Sequence, residues 1–177
     1  GNSSVGYTTM STIFLREHNR LCDELASQNT DWDDERLFQT ARNINIVLLL
    51  KVVVEDYVNH ISPIKTPIFK LDNTVAEDKK WNQPGRVSFE FDLLYRWSSL
   101  IPDQMKFGSI DYDYKQFMLN NTLLTEHGLA KIVNDASHQR AGKLSLSNTP
   151  DFLLGEQHEA IKMARSFQTR SLNEYRI

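Results

Sequence analysis

Cysteine is nearly missing from this chain: Cys22 stands alone among 177 residues. No disulfide can therefore form within it. An excess of positive charge is missing too, since 20 Lys and Arg face 23 Asp and Glu for a net charge of −3. No basic stripe with interleaved aromatics occurs, so nucleic acid is not expected as a partner. The longest apolar run, Ile46 to Leu50, is broken by Lys51 and resumes over Val52 to Val54. A bilayer crossing takes about 20 apolar residues, so the run reads as core and no transmembrane segment is expected. Gly1 to Gly6 has no signal-peptide pattern. Glycine-rich phosphate loops, a Ser-His-Asp order, internal repeats and low-complexity tracts are lacking as well. His18 and Cys22 lie four apart, but zinc needs three or four ligands and no third lies near them in sequence. No metal site is expected from that pair.

What is present is an ordinary globular balance: 40% hydrophobic, 10% aromatic and 24% charged residues. The apolar spacing is mostly helical. A first helix is expected over about Thr9 to Ala26, and a second from Asp33 to about Ile61. The second carries Leu37, Ala41, Ile44, Leu48, Val52 and Tyr57. Acidic Asp33, Asp34 and Glu35 suit its N-terminus. Ser62 to Gly85 contains Pro63, Pro67 and Pro84 and reads as irregular. Further helices are expected over Val87–Leu100, from a cap at Asp113 to about Gly128, over Leu129–Gln139 and over Glu156–Phe167. Size and pattern fit one large domain or part of a bigger one.

One segment carries more than periodicity. Phe89-Glu90-Phe91-Asp92-Leu93-Leu94-Tyr95-Arg96-Trp97-Ser98-Ser99-Leu100-Ile101-Pro102-Asp103 is an ordered string of types. On a helix, Phe91, Leu94, Tyr95 and Ser98 would share one face. Other strings accompany it: Arg16-Glu17-His18-Asn19-Arg20, Trp32 to Arg42, Val54-Glu55-Asp56-Tyr57-Val58-Asn59-His60-Ile61-Ser62, Asn120 to Gly128, and Ser171-Leu172-Asn173-Glu174-Tyr175-Arg176. In this order they resemble the cyclooxygenase and fatty-acid dioxygenase branch of the animal haem peroxidases, over the middle of the catalytic domain.

The resemblance implies an all-α, multi-helix haem-peroxidase-like domain, partial over residues 1–177, with irregular connections. It implies haem as cofactor, a polyunsaturated fatty acid, molecular oxygen and a hydroperoxide as partners, and it leaves a homo-oligomer open. Tyr95 would be the hydrogen-abstracting radical, and Tyr57 its hydrogen-bond partner. Val58, Ile61, Ser62, Phe91 and Leu94 would line the fatty-acid channel. Ser98 stands at the proximal haem position, where the family carries His. That departure leaves two readings: a fatty-acid dioxygenase impaired at Ser98, or a haemless homologue that binds lipid or protein. The compartment implied is the endoplasmic reticulum lumen or a membrane surface for an animal-type protein, and the cytoplasm for a bacterial one.

Overall fold

The computed structural model describes residues 4–61, 69–72, 74, 79–80, 85–97, 100–142 and 149–176. The chain divides into two compact units, Met10–Pro84 and the remainder, Gly1–Thr9 with Gly85–Ile177. Helix dominates both, as the all-α expectation requires.

Helix α1 covers Val5–Gln28, a few residues longer at each end than its apolar spacing suggests. Helix α2 covers Asp34–Lys51, and Asp33 is its N-cap: the carboxylate accepts from the Arg36 backbone N–H at 2.8 Å. An Asp in this place satisfies one of the donors a helix start leaves open and complements the dipole. In the Met10–Pro84 unit, Asn45 Nδ2 donates to the Phe14 carbonyl at 2.9 Å, tying α2 to α1. Ala41 is the wholly buried residue of α2. The apolar run is helical rather than a buried strand. Its C-terminal part, Val52–Val58, is a π-helical segment, followed by the short α3, Asn59–Ile61. Three successive β-branched valines crowd an α-helical turn, and the wider π turn occupies that place.

The stretch Asp34–Val58 is one continuous helix of 25 residues, with a mean hydropathy of 1.4 in its most apolar window and 6% of that window buried. By length and composition it could cross a membrane, although the core helices of soluble proteins meet the same criterion. The length is reached because helical flanks extend the apolar run at both ends.

The other unit is built around a small antiparallel hairpin that sequence periodicity did not predict. Strands β1, Gln104–Phe107, and β2, Ile110–Asp113, pair with Phe107 opposite Ile110 and Met105 opposite Tyr112. Gly108 takes φ +63° in the two-residue turn, a conformation open to glycine at little cost. Asp113 then caps α5, Tyr114–Phe117, in a reciprocal capping box with Gln116. Helix α6 spans Thr122–His127 and α7 spans Leu129–Ser137, separated by Gly128 at φ +79°. The single helix expected from Asp113 to about Gly128 is thus two, because Leu119 turns the chain at φ 52°. Val5, Phe107, Phe117, Leu123 and Ile132 form the buried cluster of this unit. Helices α8, Leu154–Ser166, and α9, Leu172–Tyr175, come after a 3-10 turn at Asp151–Leu153.

Candidate functional site

The motif segment forms α4, which covers Phe89–Leu94 and not the expected Val87 to Leu100. Ser88 caps its start, accepting from the Phe91 N–H at 3.1 Å. Tyr95 is the C-cap: its N–H still donates to the Phe91 carbonyl, but its backbone leaves the helix at ψ 61°. Beyond it the Leu100 N–H donates to the Trp97 carbonyl at 2.9 Å, and Pro102 bars a further α-helical turn.

Two of the expected site residues are brought together here. The Phe91 and Tyr95 rings stack at 4.8 Å between centroids and 13° between planes. Trp97 meets Tyr95 edge-on at 5.4 Å. Tyr95 is thus held by two aromatic rings while half its surface stays exposed. Leu94 is 83% exposed. It lines a cavity of about 370 Å³ with Leu93, Ala160, Ile161, Leu172 and Tyr175. At its edge the Tyr175 hydroxyl donates to Glu90 Oε1 at 2.9 Å. The Glu90 carboxyl is held below its usual range by its own backbone N–H and by that phenol, and the same bond raises the Tyr175 phenol.

Tyr57 and Val58 lie together at the end of the π segment in the Met10–Pro84 unit. Ile61 closes α3, and Ser62 and Ser98 lie outside the described residues. Tyr57 lines an open depression with Val52, Glu55, Asp56, Asn59 and His60.

The His18 and Cys22 pair is internally satisfied. Cys22 Sγ lies 3.8 Å from His18 Nδ1, and His18 Nε2 lies 3.2 Å from the Phe38 carbonyl. Burial, followed by Asp23 and Asp34, pushes the Cys22 thiol up, the opposite of what a nucleophile or metal ligand needs. Among the described residues no group of three or more His, Cys, Asp and Glu side chains is placed to hold a metal ion. A polar pair that sequence spacing did not single out is Tyr112 and His127, whose hydroxyl and Nε2 lie 2.8 Å apart beside buried Phe107. Strand alternation around Gly108-Ser109 was the available signal for it.

Comparison with known proteins gives this geometry a family. The chain is 40% identical over 172 residues to prostaglandin G/H synthase 2 of Equus caballus, a match that covers 97% of this chain and 28% of that protein. The chain thus spans under a third of the length of the curated relatives it matches. Its fold is similar to a fatty acid alpha-dioxygenase of Arabidopsis thaliana, with a TM-score of 0.71 at 21% identity over 86% of this chain and 30% of the other. It is also similar to peroxidase A of Dictyostelium discoideum, with a TM-score of 0.64 at 25% identity over 82% of this chain and 28% of the other. The profile described as animal haem peroxidase matches residues 1–171, nearly the whole of this chain, which therefore belongs to the animal haem peroxidase family.

Proposed function

We propose that the protein carrying this chain is an oxidoreductase that oxygenates polyunsaturated fatty acids, with Tyr95 as the hydrogen-abstracting residue and Ser98 limiting its activity. The observation that carries this reading is the Tyr95 phenol stacked on Phe91 and flanked by Trp97. It is supported by similarity to prostaglandin G/H synthases along 97% of the chain. The ring contacts with Phe91 and Trp97 hold the phenol in place, and an apolar channel suits a fatty-acid chain. In the substrate step, the Tyr95 phenoxyl takes a hydrogen atom from a substrate carbon. A hydroperoxide is the oxidant that first converts the phenol to the phenoxyl. The O–H bond then forms as the C–H bond breaks, and molecular oxygen adds to the carbon radical. The resulting peroxyl radical takes the hydrogen atom back from the Tyr95 O–H, giving the hydroperoxide product and restoring the phenoxyl. The resemblance to the family is what gives Tyr57 the part of hydrogen-bond partner to Tyr95, and Phe91, Leu94, Val58, Ile61 and Ser62 the part of channel residues, in this reading.

The family's haem does not fit the donor at position 98. Iron in haem proteins takes His, Cys thiolate, Met or Tyr from the protein. Ser98 offers a hydroxyl, and none of the chain's five histidines falls in the motif segment. His127 and His138 are engaged elsewhere, with Tyr112 at 2.8 Å and the Asn134 carbonyl at 2.7 Å. This favours a second reading, a haemless homologue that keeps the fold as a lipid- or protein-binding module. Haemin titration of the intact protein and of Ser98→His, followed by the Soret band, separates the two. Saturable binding with oxygenation by the unmodified protein supports the enzyme. Binding and oxygenation confined to Ser98→His support a haemless homologue. Oxygenation in neither, with a Soret band in both, counts against the role of Tyr95.

A further inference from the structure

Backbone groups of the segment after α3 find their partners on side chains of the preceding helix. The Phe69 N–H donates to Asn59 Oδ1 at 3.1 Å, and Asn59 Nδ2 donates to the Phe69 carbonyl at 2.9 Å. One carboxamide thus pairs with both backbone groups of one residue, as a neighbouring antiparallel strand would. Two residues on, the Leu71 N–H donates to Glu55 Oε1 at 3.1 Å. Asn59 Nδ2 also donates to the Glu55 carbonyl at 2.7 Å, inside the π segment. Two donations and one acceptance are what a primary amide supplies and a carboxylate or an apolar side chain does not.

The π turn matters because it sets direction. It holds one residue more than an α turn, so its reversion to α geometry would rotate the downstream residues by about 100°. Tyr57 and Val58 sit at its end, and Tyr57 shares its depression with Glu55 and Asn59.

We propose that Asn59 is a positioning residue, which ties the π segment to residues 69–71 and so fixes the direction of the Tyr57 side chain. The use of Tyr57 in oxygenation rests on the function proposed above; the tie itself does not.

The test uses the full chain with Asn59→Leu and Asn59→Asp, read by amide exchange protection at Phe69 and by the ring resonances of isotopically labelled Tyr57. Asn59→Leu is expected to lower Phe69 protection about tenfold or more and to shift the Tyr57 resonances. In Asn59→Asp the introduced carboxylate meets the Phe69 and Glu55 carbonyl oxygens. Both readouts are then expected to be displaced at neutral pH and to return toward the unmodified protein as acid protonates the carboxyl and restores a donor. Glu55 and Asp56, His60, and Lys51, whose Nζ lies 3.8 Å from Glu55, titrate or carry charge nearby. Asn59→Leu keeps them all, so a pH course confined to Asn59→Asp belongs to position 59. Phe69 protection within twofold of the unmodified protein in Asn59→Leu overturns the proposal. So do Tyr57 resonances that stay in place when that protection is lost. Binding of a polyunsaturated fatty acid by the unmodified protein is measured alongside: its absence counts against the functional reading, while the exchange data still decide the role of Asn59.

Discussion

Replacing Phe107 with Ala should remove the keystone of the hairpin unit. Phe107 is 0% exposed and packs in one cluster with Val5, Phe117, Leu123 and Ile132. Its ring also lies 5.8 Å from Tyr112 and 6.1 Å from His127. Removing a buried phenyl costs the transfer free energy of the lost atoms plus a cavity term, about 3–5 kcal/mol in all. The upper end is expected here, because β1 is held on both sides and cannot collapse inward. Its Lys106 N–H donates to Gln139 Oε1 at 2.7 Å, and Gln139 Nε2 returns a bond to the Lys106 carbonyl at 2.7 Å. A unit of this size has a total stability of about 5–15 kcal/mol, so the change takes a third or more of it. Urea denaturation read by amide exchange at Phe107 and Ile132 reports on this unit specifically. Phe107→Leu, which keeps much of the volume, should lose distinctly less. A loss below about 1 kcal/mol in Phe107→Ala would refute the placement of the core.

Two further predictions rest on single side chains. Asp135 Oδ2 accepts from the Gly108 N–H at 2.7 Å and pairs with Lys131 at 3.1 Å. Those partners, the Gly108 N–H first, hold its carboxyl below the usual range. Its contribution is therefore fully present above the unfolded carboxyl pKa and is lost as pH falls through the lower, folded value. Asp135→Asn should lower the unfolding temperature at neutral pH and remove that part of the acid dependence, measured by thermal melts across pH; equal melts for both proteins at neutral pH would contradict it. Cys22, with its thiol pushed up by burial, should react with iodoacetamide more slowly at neutral pH than a free cysteine. Labelling as fast as the free amino acid would contradict the packing of α1 on α2.

The helices of the Met10–Pro84 unit were legible because their apolar positions recur at helical spacing and Asp33 supplies a cap. Local pattern does not report the π segment, since Val52 to Tyr57 satisfies an α and a π register almost equally; the direction of Tyr57 was therefore hidden. The hairpin was missed because four-residue strands offer too few alternations to compete with helical patterns on either side, although Gly108-Ser109 marks its turn. In the motif segment, Tyr95 reads from sequence as an internal helix residue. Its place at the end of α4, against the Phe91 and Trp97 rings, depends on where helix propensity gives way, which the sequence pattern signals weakly. The Asn59 contacts join residues ten apart through side-chain amide chemistry, which periodicity does not address.

Oxygen uptake driven by a polyunsaturated fatty acid tests the central claim most directly. It is measured on the intact protein supplied with haemin, as unmodified protein, as Ser98→His, and as Ser98→His with Tyr95→Phe. Uptake is expected to rise in Ser98→His and to disappear when Tyr95 is also replaced. Uptake that survives the loss of the Tyr95 phenol would contradict the assignment of hydrogen abstraction to this residue.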